Sequence, residues 1–273
     1  MPEALFQPTR YPVAQIFSGA WLILRTHFWP LCFSLLVTGL VALLGMLPLG
    51  ILVAQAPSLH LLWMILDNIW INVLIIGFFR VIALRSAGQS ADFLSSLWSL
   101  QQRDAWLLAL VPAILGVLLL QSSGYLAMTA HPNDPAAVIR VIEQPRLWIS
   151  ILVSFLVSSF FQYAFALFAA YGDSPREALR GALRLFGDRL PWLFFPLLVG
   201  LVCGIVLFVF FLVIAVLAGL LLGANAAHAP ALAIAFTLLL LLLLFPIAIW
   251  MNSCILLAAA NLKRAEGDAR FLP

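Results

Sequence analysis

Charge is scarce in this chain, and that scarcity decides the class of protein. Only 9% of the 273 residues are charged, whereas 64% are hydrophobic, and the mean hydropathy is +1.12. A soluble globular domain carries charge on about a quarter of its residues. The composition therefore excludes an ordinary soluble domain and indicates a protein embedded in a membrane.

Catalytic and metal-binding motifs are missing as well. The sequence has no H-E-x-x-H, no G-x-S-x-G, no Walker A loop and no cysteine pair with metal-ligand spacing. Its three cysteines, Cys32, Cys203 and Cys254, lie inside long apolar runs, where they are small apolar side chains and predict no disulfide framework. No long soluble loop is present to hold a substrate. We therefore expect a protein that is not an enzyme and has no cofactor.

Long apolar runs are what the chain does contain. A bilayer core about 30 Å thick needs roughly 20 apolar residues in a helix. Six segments meet this length, and they are continuous rather than alternating, which favours helices over a barrel. The sequence predicts an all-α polytopic membrane helical bundle with six spans at about 30–54, 61–84, 106–128, 147–170, 192–223 and 231–260.

The few basic residues are placed asymmetrically. Twelve Lys and Arg lie before the first span, between spans two and three, between spans four and five, and after the last span, whereas the other side has only Arg140 and Arg146. This positive-inside bias predicts that both termini are cytoplasmic. The first 29 residues have no cleavable signal pattern, and Arg outnumbers Lys by 13 to 1. We expect a multi-pass protein of a bacterial inner membrane, with no nucleic-acid partner.

The most charged stretch, SPREALRGALRLFGDRLPW, begins at Ser174. Ser174 is predicted to be an N-cap, with Pro175 as the first helical residue and Glu177 completing a capping box. One stripe is apolar and comprises Leu179, Ala182, Leu183, Phe186 and Leu190, and the opposite stripe comprises Arg176, Arg180 and Arg184. The pattern predicts an amphipathic helix on the cytoplasmic face, with its arginines at lipid phosphates and its leucines in the acyl boundary.

This arrangement occurs three times along the chain. Three amphipathic segments, the lead segments, lie at 11–28, 90–105 and 174–190. Each lead segment is followed by an aromatic hinge, a span, a short outer turn and a second span. A repeat of this kind predicts a single membrane domain, 1–273, built of three hairpins at about 11–84, 90–170 and 174–260. We expect these hairpins to pack around a pseudo-three-fold axis, each led by a cytoplasmic amphipathic helix.

The lead ALRGALRLFGDRLPWL, at 178–193, followed by a long Leu/Val/Gly span, resembles a group of bacterial six-span inner-membrane proteins. These are the YciC-like proteins and the membrane domain attached to some glycerophosphodiester phosphodiesterases. The resemblance covers nearly the whole chain in layout and implies the same six-span fold. It implies no catalytic residues, and the soluble phosphodiesterase barrel has no counterpart in this sequence.

Polar residues inside the spans are the candidates for a site. Asp67, Asn68 and Asn72 lie in the second span, where an ionisable group is a functional hypothesis by default. Asn68 and Asn72 share a face, which suits hydrogen bonds between helices. Ser154, Ser158 and Gln162 share a face of the fourth span. Two interpretations stay open: structural hydrogen bonding and close packing, which we favour, or a substrate or proton site with a polar lining across the two spans.

Three of the four histidines fall in outer turns, one per hairpin: His60, His131 and His228. If the three-fold arrangement holds, they could converge with a water molecule into a zinc or copper site. The favoured alternative is three interfacial histidines that never meet. The pairs Gly200/Gly204 and Gly219/Gly223 predict close helix crossings, and Pro48, Pro112 and Pro246 predict kinks.

Three functions remain. The leading hypothesis is a non-enzymatic inner-membrane protein that acts in envelope maintenance or assembly and binds membrane lipids or another membrane protein. The alternative is a small permease or channel with the polar faces of spans two and four lining the path. A membrane enzyme acting on lipid is the weakest hypothesis. A solvent-accessible cavity reaching Asp67 and Asn72 would favour the permease.

Overall fold

The computed structural model describes residues 13–122, 143–188, 194–222 and 229–265. Throughout these residues the regular structure is helical, which confirms the all-α prediction. Two short 3₁₀ helices, Pro57–Leu59 and Phe93–Gln101, accompany seven α-helices. The α-helices are α1 Val13–Gln55, α2 His60–Ser86, α3 Arg103–Ser122, α4 Pro145–Tyr171, α5 Pro175–Asp188, α6 Phe195–Leu222 and α7 Ala229–Ala265.

Five helical segments are long and apolar enough to cross a membrane: Val13–Leu52, His60–Ser86, Arg103–Gln121, Pro145–Tyr171 and Leu243–Asn261. The chain is therefore compatible with a multi-pass membrane protein. The fifth predicted span, 192–223, corresponds to α6, whose shorter stretch Phe195–Phe210 is apolar within the described residues. The five segments overlap the other predicted spans and have the length and composition of membrane helices, and the count of six stays a prediction.

Helix α1 is broken where its amphipathic lead was predicted to meet its span. His27 has non-helical backbone angles, φ −119° and ψ 24°. Pro30 follows three residues later, and proline lacks the N–H that would bond the carbonyl of Thr26. The interruption separates a lead of residues 13–26 from the helix that follows. The lead packs on α6 and α7, where the Phe17 ring lies 5.8 Å from Phe195 and 5.2 Å from Trp250.

The second lead is not an α-helix. Phe93–Gln101 forms a 3₁₀ helix, which ends at Gln102 in extended backbone. Its serine side chains hydrogen-bond to nearby backbone, as in the bond from Ser96 Oγ to the Phe93 carbonyl at 3.0 Å. Such local bonds compete with the backbone bonds of a regular α-helix. The segment lies directly on α2, because a Cβ added to Gly77 would be only 1.7 Å from the Ser96 carbonyl oxygen. The second lead therefore forms a 3₁₀ helix, which is tighter than an α-helix, where it packs closely on α2.

The third lead, α5, has the predicted capping box. Ser174 N donates to Glu177 Oε2 at 3.0 Å, and Glu177 N donates to Ser174 Oγ at 3.3 Å. Its packing face, however, consists of Ala178, Gly181 and Ala182, which are buried. A Cβ on Gly181 would lie 2.8 Å from Leu167 Cδ1 of α4. Small residues bring α5 close to α4. Of the predicted apolar stripe, Ala182 and Leu179 pack on the protein, whereas Leu183 does not.

The remaining faces of α5 point outward. Leu183, which the sequence placed in the apolar stripe, is 58% exposed, and Leu179 is half-buried. Arg176, Arg180 and Arg184 are exposed together on another face. The Phe186 side chain and Leu190 lie outside the described residues. Since apolar residues can face lipid as well as protein, the hydrophobic pattern alone did not identify the packing face.

The most deeply buried large side chains include residues in the second halves of α2, α4 and α7. Phe79 of α2, Tyr163 and Leu167 of α4, and Ile255 of α7 are fully buried. At the other end the helices expose apolar side chains, as in α1 at Leu40, Leu43, Leu44, Leu47 and Ile51. Gly200 and Gly204 of α6 are also exposed, with nothing within 4 Å of an added Cβ. Their predicted role in a close crossing is therefore wrong for the described part of the chain, where no helix packs on that face.

Candidate functional site: a polar cavity between α2, α3 and α4

One wall of the site is a polar face of α2. Asn68 and Asn72 are four residues apart and line the same cavity, with Met64 and Ile75 beside them. Asn68 Nδ2 donates to the Met64 carbonyl at 2.7 Å. This bond fixes the amide and leaves its side-chain oxygen as an acceptor.

The facing wall is α4. Ser154, Ser158 and Gln162, four residues apart in sequence, line the same cavity as the two asparagines. Among the residues that the structure describes, neither Asn72 nor Gln162 has a hydrogen-bond partner. Both amides are therefore available to a molecule inside the cavity. The apolar side chains of Val157, Phe161 and Phe165 complete this wall.

Helix α3 makes room for the cavity. Pro112 and Gly116 line it from one face of α3, together with Val117 and Leu120. Gly116 contributes no side chain, and a Cβ built there would meet open space within 4 Å. Pro112 lacks the N–H that would bond the carbonyl of Leu108. The gap between α2 and α4 thus exists because α3 presents almost no side-chain volume at Gly116.

The cavity has a volume of about 310 Å³. Water occupies about 30 Å³ per molecule in the liquid, so the space would hold on the order of ten waters. Among the residues that the structure describes, its lining includes five neutral polar side chains and no charged one. Amides and hydroxyls both donate and accept hydrogen bonds. The arrangement can therefore solvate a small neutral molecule.

Asp67 is not part of this wall. It is half-buried, and its Oδ1 is buried without a hydrogen-bond partner in the described part of the chain. The cavity is lined by the next residue, Asn68, which points about 100° further round the helix. The structure brings together Asn68, Asn72, Ser158 and Gln162 and separates Asp67 from them.

Of the three histidines predicted to form a cluster, only His60 lies in the described residues. His60 is exposed at the first residue of α2, and its ring lies 5.6 Å from that of Trp63. His131 and His228 lie outside the described residues. Within the residues that are described, no three His, Cys, Asp or Glu side chains are grouped to hold a metal ion.

The opposite side of α2 holds residues that sequence reasoning missed. Trp70 Nε1 donates to the Val41 carbonyl of α1 at 3.3 Å. The ring of Trp70 fills the space above Gly45, where an added Cβ would lie 2.4 Å from Nε1. These contacts fasten α2 to α1 and leave its other face for the cavity. In the sequence, the position of Trp70 inside a predicted span was the signal that could have indicated this contact.

Arg80 was counted in the sequence as a charge of the cytoplasmic loop. In the structure it lies inside α2, half-buried, and donates to the Ala169 carbonyl of α4 at 3.0 Å. Its guanidinium also lies 5.4 Å from the centre of the Trp98 ring. Ala169 belongs to the last turn of α4, where carbonyls lack helical partners and a cation is favoured. Arg80 therefore joins α2, α4 and the 3₁₀ helix below the cavity.

Comparison of the chain with profiles of known protein families, with curated proteins and with solved structures found no match.

Proposed function

We propose that this chain is a multi-pass membrane protein whose polar cavity binds small uncharged solutes and passes them across the membrane. The observation that carries this proposal is the convergence of Asn68, Asn72, Ser158 and Gln162 on one space of about 310 Å³. Two separate helices supply these groups at a spacing of four residues. Structural hydrogen bonding between the helices would instead pair the amides with one another and fill the space.

The chemistry of the lining favours a neutral solute. A charged molecule in this cavity would find no counter-ion among the described lining residues, and an unpaired charge away from water is strongly disfavoured. A neutral molecule needs only hydrogen bonds, which the amides and hydroxyls offer. The aromatic and aliphatic residues that line the remainder suit its carbon skeleton. Glycerol and urea are solutes of this class.

The proposed topology has six spans, with α6 as the fifth along the chain and both termini in the cytoplasm of a bacterial inner membrane. It rests on the positive-inside bias and on the leads that precede α3 and α6. The three-hairpin repeat and the resemblance to YciC-like proteins belong to this proposal. Reporter fusions at Gln55, Asp134 and Asn225 should report the periplasm. Fusions after Arg85, Gly187 and Pro273 should report the cytoplasm.

Gly116 allows a direct test of the cavity. Gly116→Leu would place a side chain in the open space, where an added Cβ meets nothing within 4 Å, so folding should be retained. The matched control is Gly39→Leu, at an exposed glycine of α1 that also has nothing within 4 Å. Glycerol and urea flux into proteoliposomes should be lost in the first variant and kept in the second. Equal flux in both variants would overturn the proposal.

A second candidate is a lipid-interacting accessory protein, which the exposed faces of α5 favour. Arg176 and Arg180 are exposed next to Leu183, as in a helix that lies at a lipid interface. Replacing Arg176, Arg180 and Arg184 by Glu should leave insertion intact and raise hydrogen exchange across α5 in anionic liposomes. Equal protection of parent and variant, in neutral and anionic lipid alike, would rule out the interfacial role.

A further inference from the structure

A groove of different character lies on the other side of the bundle. Two adjoining cavities of about 520 and 380 Å³ share Trp21, Leu24 and Pro246 as lining residues. The first contains Arg25, Thr26 and Trp29. The second continues between α6 and α7 past Val206 and is almost entirely apolar. The groove therefore has one polar end and a long apolar remainder.

The polar end carries an unpaired positive charge. Arg25 is exposed and makes no ion pair among the residues that the structure describes. It lies beside the break at His27, where Pro30 withholds the N–H that would bond the Thr26 carbonyl. Guanidinium groups bind phosphate with short, charge-assisted hydrogen bonds. A phosphate ester with a hydroxyl-bearing headgroup matches Arg25 together with the carbonyl of Thr26, which Pro30 cannot bond.

The apolar part of the groove is long enough to hold much of an acyl chain. Its lining runs from Val202 to Val206 on α6 and from Leu243 to Trp250 on α7, which is about 10 Å along the longer stretch. Half of a hydrocarbon core of about 30 Å is about 15 Å, so the lining covers most of one leaflet. Trp21 and Trp29, which are 60% and 67% exposed, line the polar end at the level expected for headgroups. The groove thus joins a cationic end to an apolar channel, as a phospholipid requires.

We infer that this groove is a binding site for one anionic phospholipid, whose phosphate lies at Arg25 and whose acyl chain lies between α6 and α7 against Val206. A phospholipid at random in the bilayer would exchange freely and would show no preference for an anionic headgroup at this position. A built site predicts both retention in detergent and a charge preference. The site is separate from the polar cavity and shares no residue with it.

The test separates the headgroup from the acyl chain. The purified protein, delipidated in detergent, is titrated with dioleoyl phosphatidylglycerol or dioleoyl phosphatidylcholine, and bound lipid is counted by native mass spectrometry. The parent should retain one phosphatidylglycerol and prefer it over phosphatidylcholine. Arg25→Gln should reduce that preference about fivefold. Arg103→Gln, which removes an exposed arginine outside the groove, should leave it unchanged.

The acyl-chain part has its own pair of variants. Val206→Trp fills the groove from a position that is 45% exposed, so it should lower the retention of both lipids equally. Ile205→Trp, at the neighbouring residue that is 55% exposed and does not line the groove, should retain them. Unchanged retention in Val206→Trp, or equal effects of Arg25→Gln and Arg103→Gln, would overturn the inference. So would tight binding of glycerol 3-phosphate alone, because the occupant would then be a free phosphate ester.

Discussion

The two opposite faces of α2 are built in different ways. One face carries Asn68 and Asn72 and borders a cavity of about 310 Å³. The opposite face is closed, with Trp70 over Gly45 of α1 and Gly77 under the carbonyl of Ser96. Gly77 follows Asn68 by nine residues, which is two and a half helical turns, so the two positions lie on opposite sides.

The difference shows how a strongly apolar chain builds a polar site. On the closed face, glycine allows a neighbouring backbone or ring to approach and leaves no space. At the cavity, the glycine belongs to the third helix, α3, and nothing approaches Gly116. A missing side chain thus produces tight packing in one place and an opening in another. What decides between them is whether a neighbouring element can reach the glycine.

The largest effect is expected on the closed face. Gly77→Ala would place a Cβ 1.7 Å from the Ser96 carbonyl oxygen, so the backbone of the 3₁₀ helix would have to move. We expect a loss of about 3 kcal/mol or more in stability, because overpacking against backbone has no cheap relief. Thermal unfolding of the purified protein in detergent measures it. Gly39→Ala, with open space around it, should be neutral or more stable, and a parent-like midpoint for Gly77→Ala would contradict the close contact.

A smaller loss is expected where Arg80 ties α2 to α4. Arg80→Gln removes a charged hydrogen bond to the Ala169 carbonyl and the contact with the Trp98 ring. Hydrogen bonds to charged groups contribute about 1.5–3 kcal/mol, and the half-exposed position puts the effect at the lower end of that range. The same unfolding assay should show no change for Arg103→Gln. Equal midpoints for the two variants would mean that the bond does not hold the helices.

On the face of α2 that borders the cavity, we expect a substitution to affect solute flux more than stability. Asn72→Leu should change stability by no more than about 0.6 kcal/mol, since the amide has no partner among the described residues and interhelical hydrogen bonds in membranes average that value. Glycerol flux should nevertheless fall, because one of the amides that solvate the path is gone. A large loss of stability with unchanged flux would make Asn72 a structural residue and favour the packing interpretation.

Asp67 should have the smallest effect. Asp67→Asn keeps the size of the side chain, and the buried Oδ1 has no hydrogen-bond partner in the described residues. We expect both the unfolding midpoint and the solute flux to stay near the parent values. If Asp67→Asn folds but loses solute flux, Asp67 is part of the solute path despite its position outside the cavity.

The sequence anticipated the polar walls because a spacing of four residues places side chains on one helical face whatever the tertiary fold. Asn68 and Asn72 could be matched with Ser158 and Gln162 on that basis as one of two alternatives. The role of Gly116 could not be foreseen, since a glycine next to open space looks the same as one beneath another helix. The predicted crossing at Gly200 and Gly204 was wrong for this reason.

Two other features depended on tertiary structure. Arg80 binds a carbonyl that is free only because α4 ends at Gly172, whose φ of 65° is left-handed. The packing face of α5 consists mainly of Ala178, Gly181 and Ala182, with Leu179 at its edge, while Leu183 is exposed, because lipid accepts leucine as readily as a protein core does. Hydropathy therefore located the helices, whereas it did not determine which side of each helix meets the protein.

The most direct test of the cavity is its access to water. In a variant whose three native cysteines are replaced by alanine, a cysteine is placed at Ser158, which lines the cavity, or at Leu152, which is 51% exposed and does not line it. Both variants are treated in native membranes with a charged methanethiosulfonate reagent. Leu152 is nearer to the start of α4, so depth alone would favour its labelling.

Thiols react as thiolates, which form in water and not in hydrocarbon, so Ser158→Cys should be labelled about tenfold faster or more than Leu152→Cys. Adding Gly116→Leu should slow the labelling of Ser158→Cys and leave Leu152→Cys unchanged. Slow and equal labelling of the two cysteines would show that lipid fills the space between α2, α3 and α4, and the proposed solute path would be wrong.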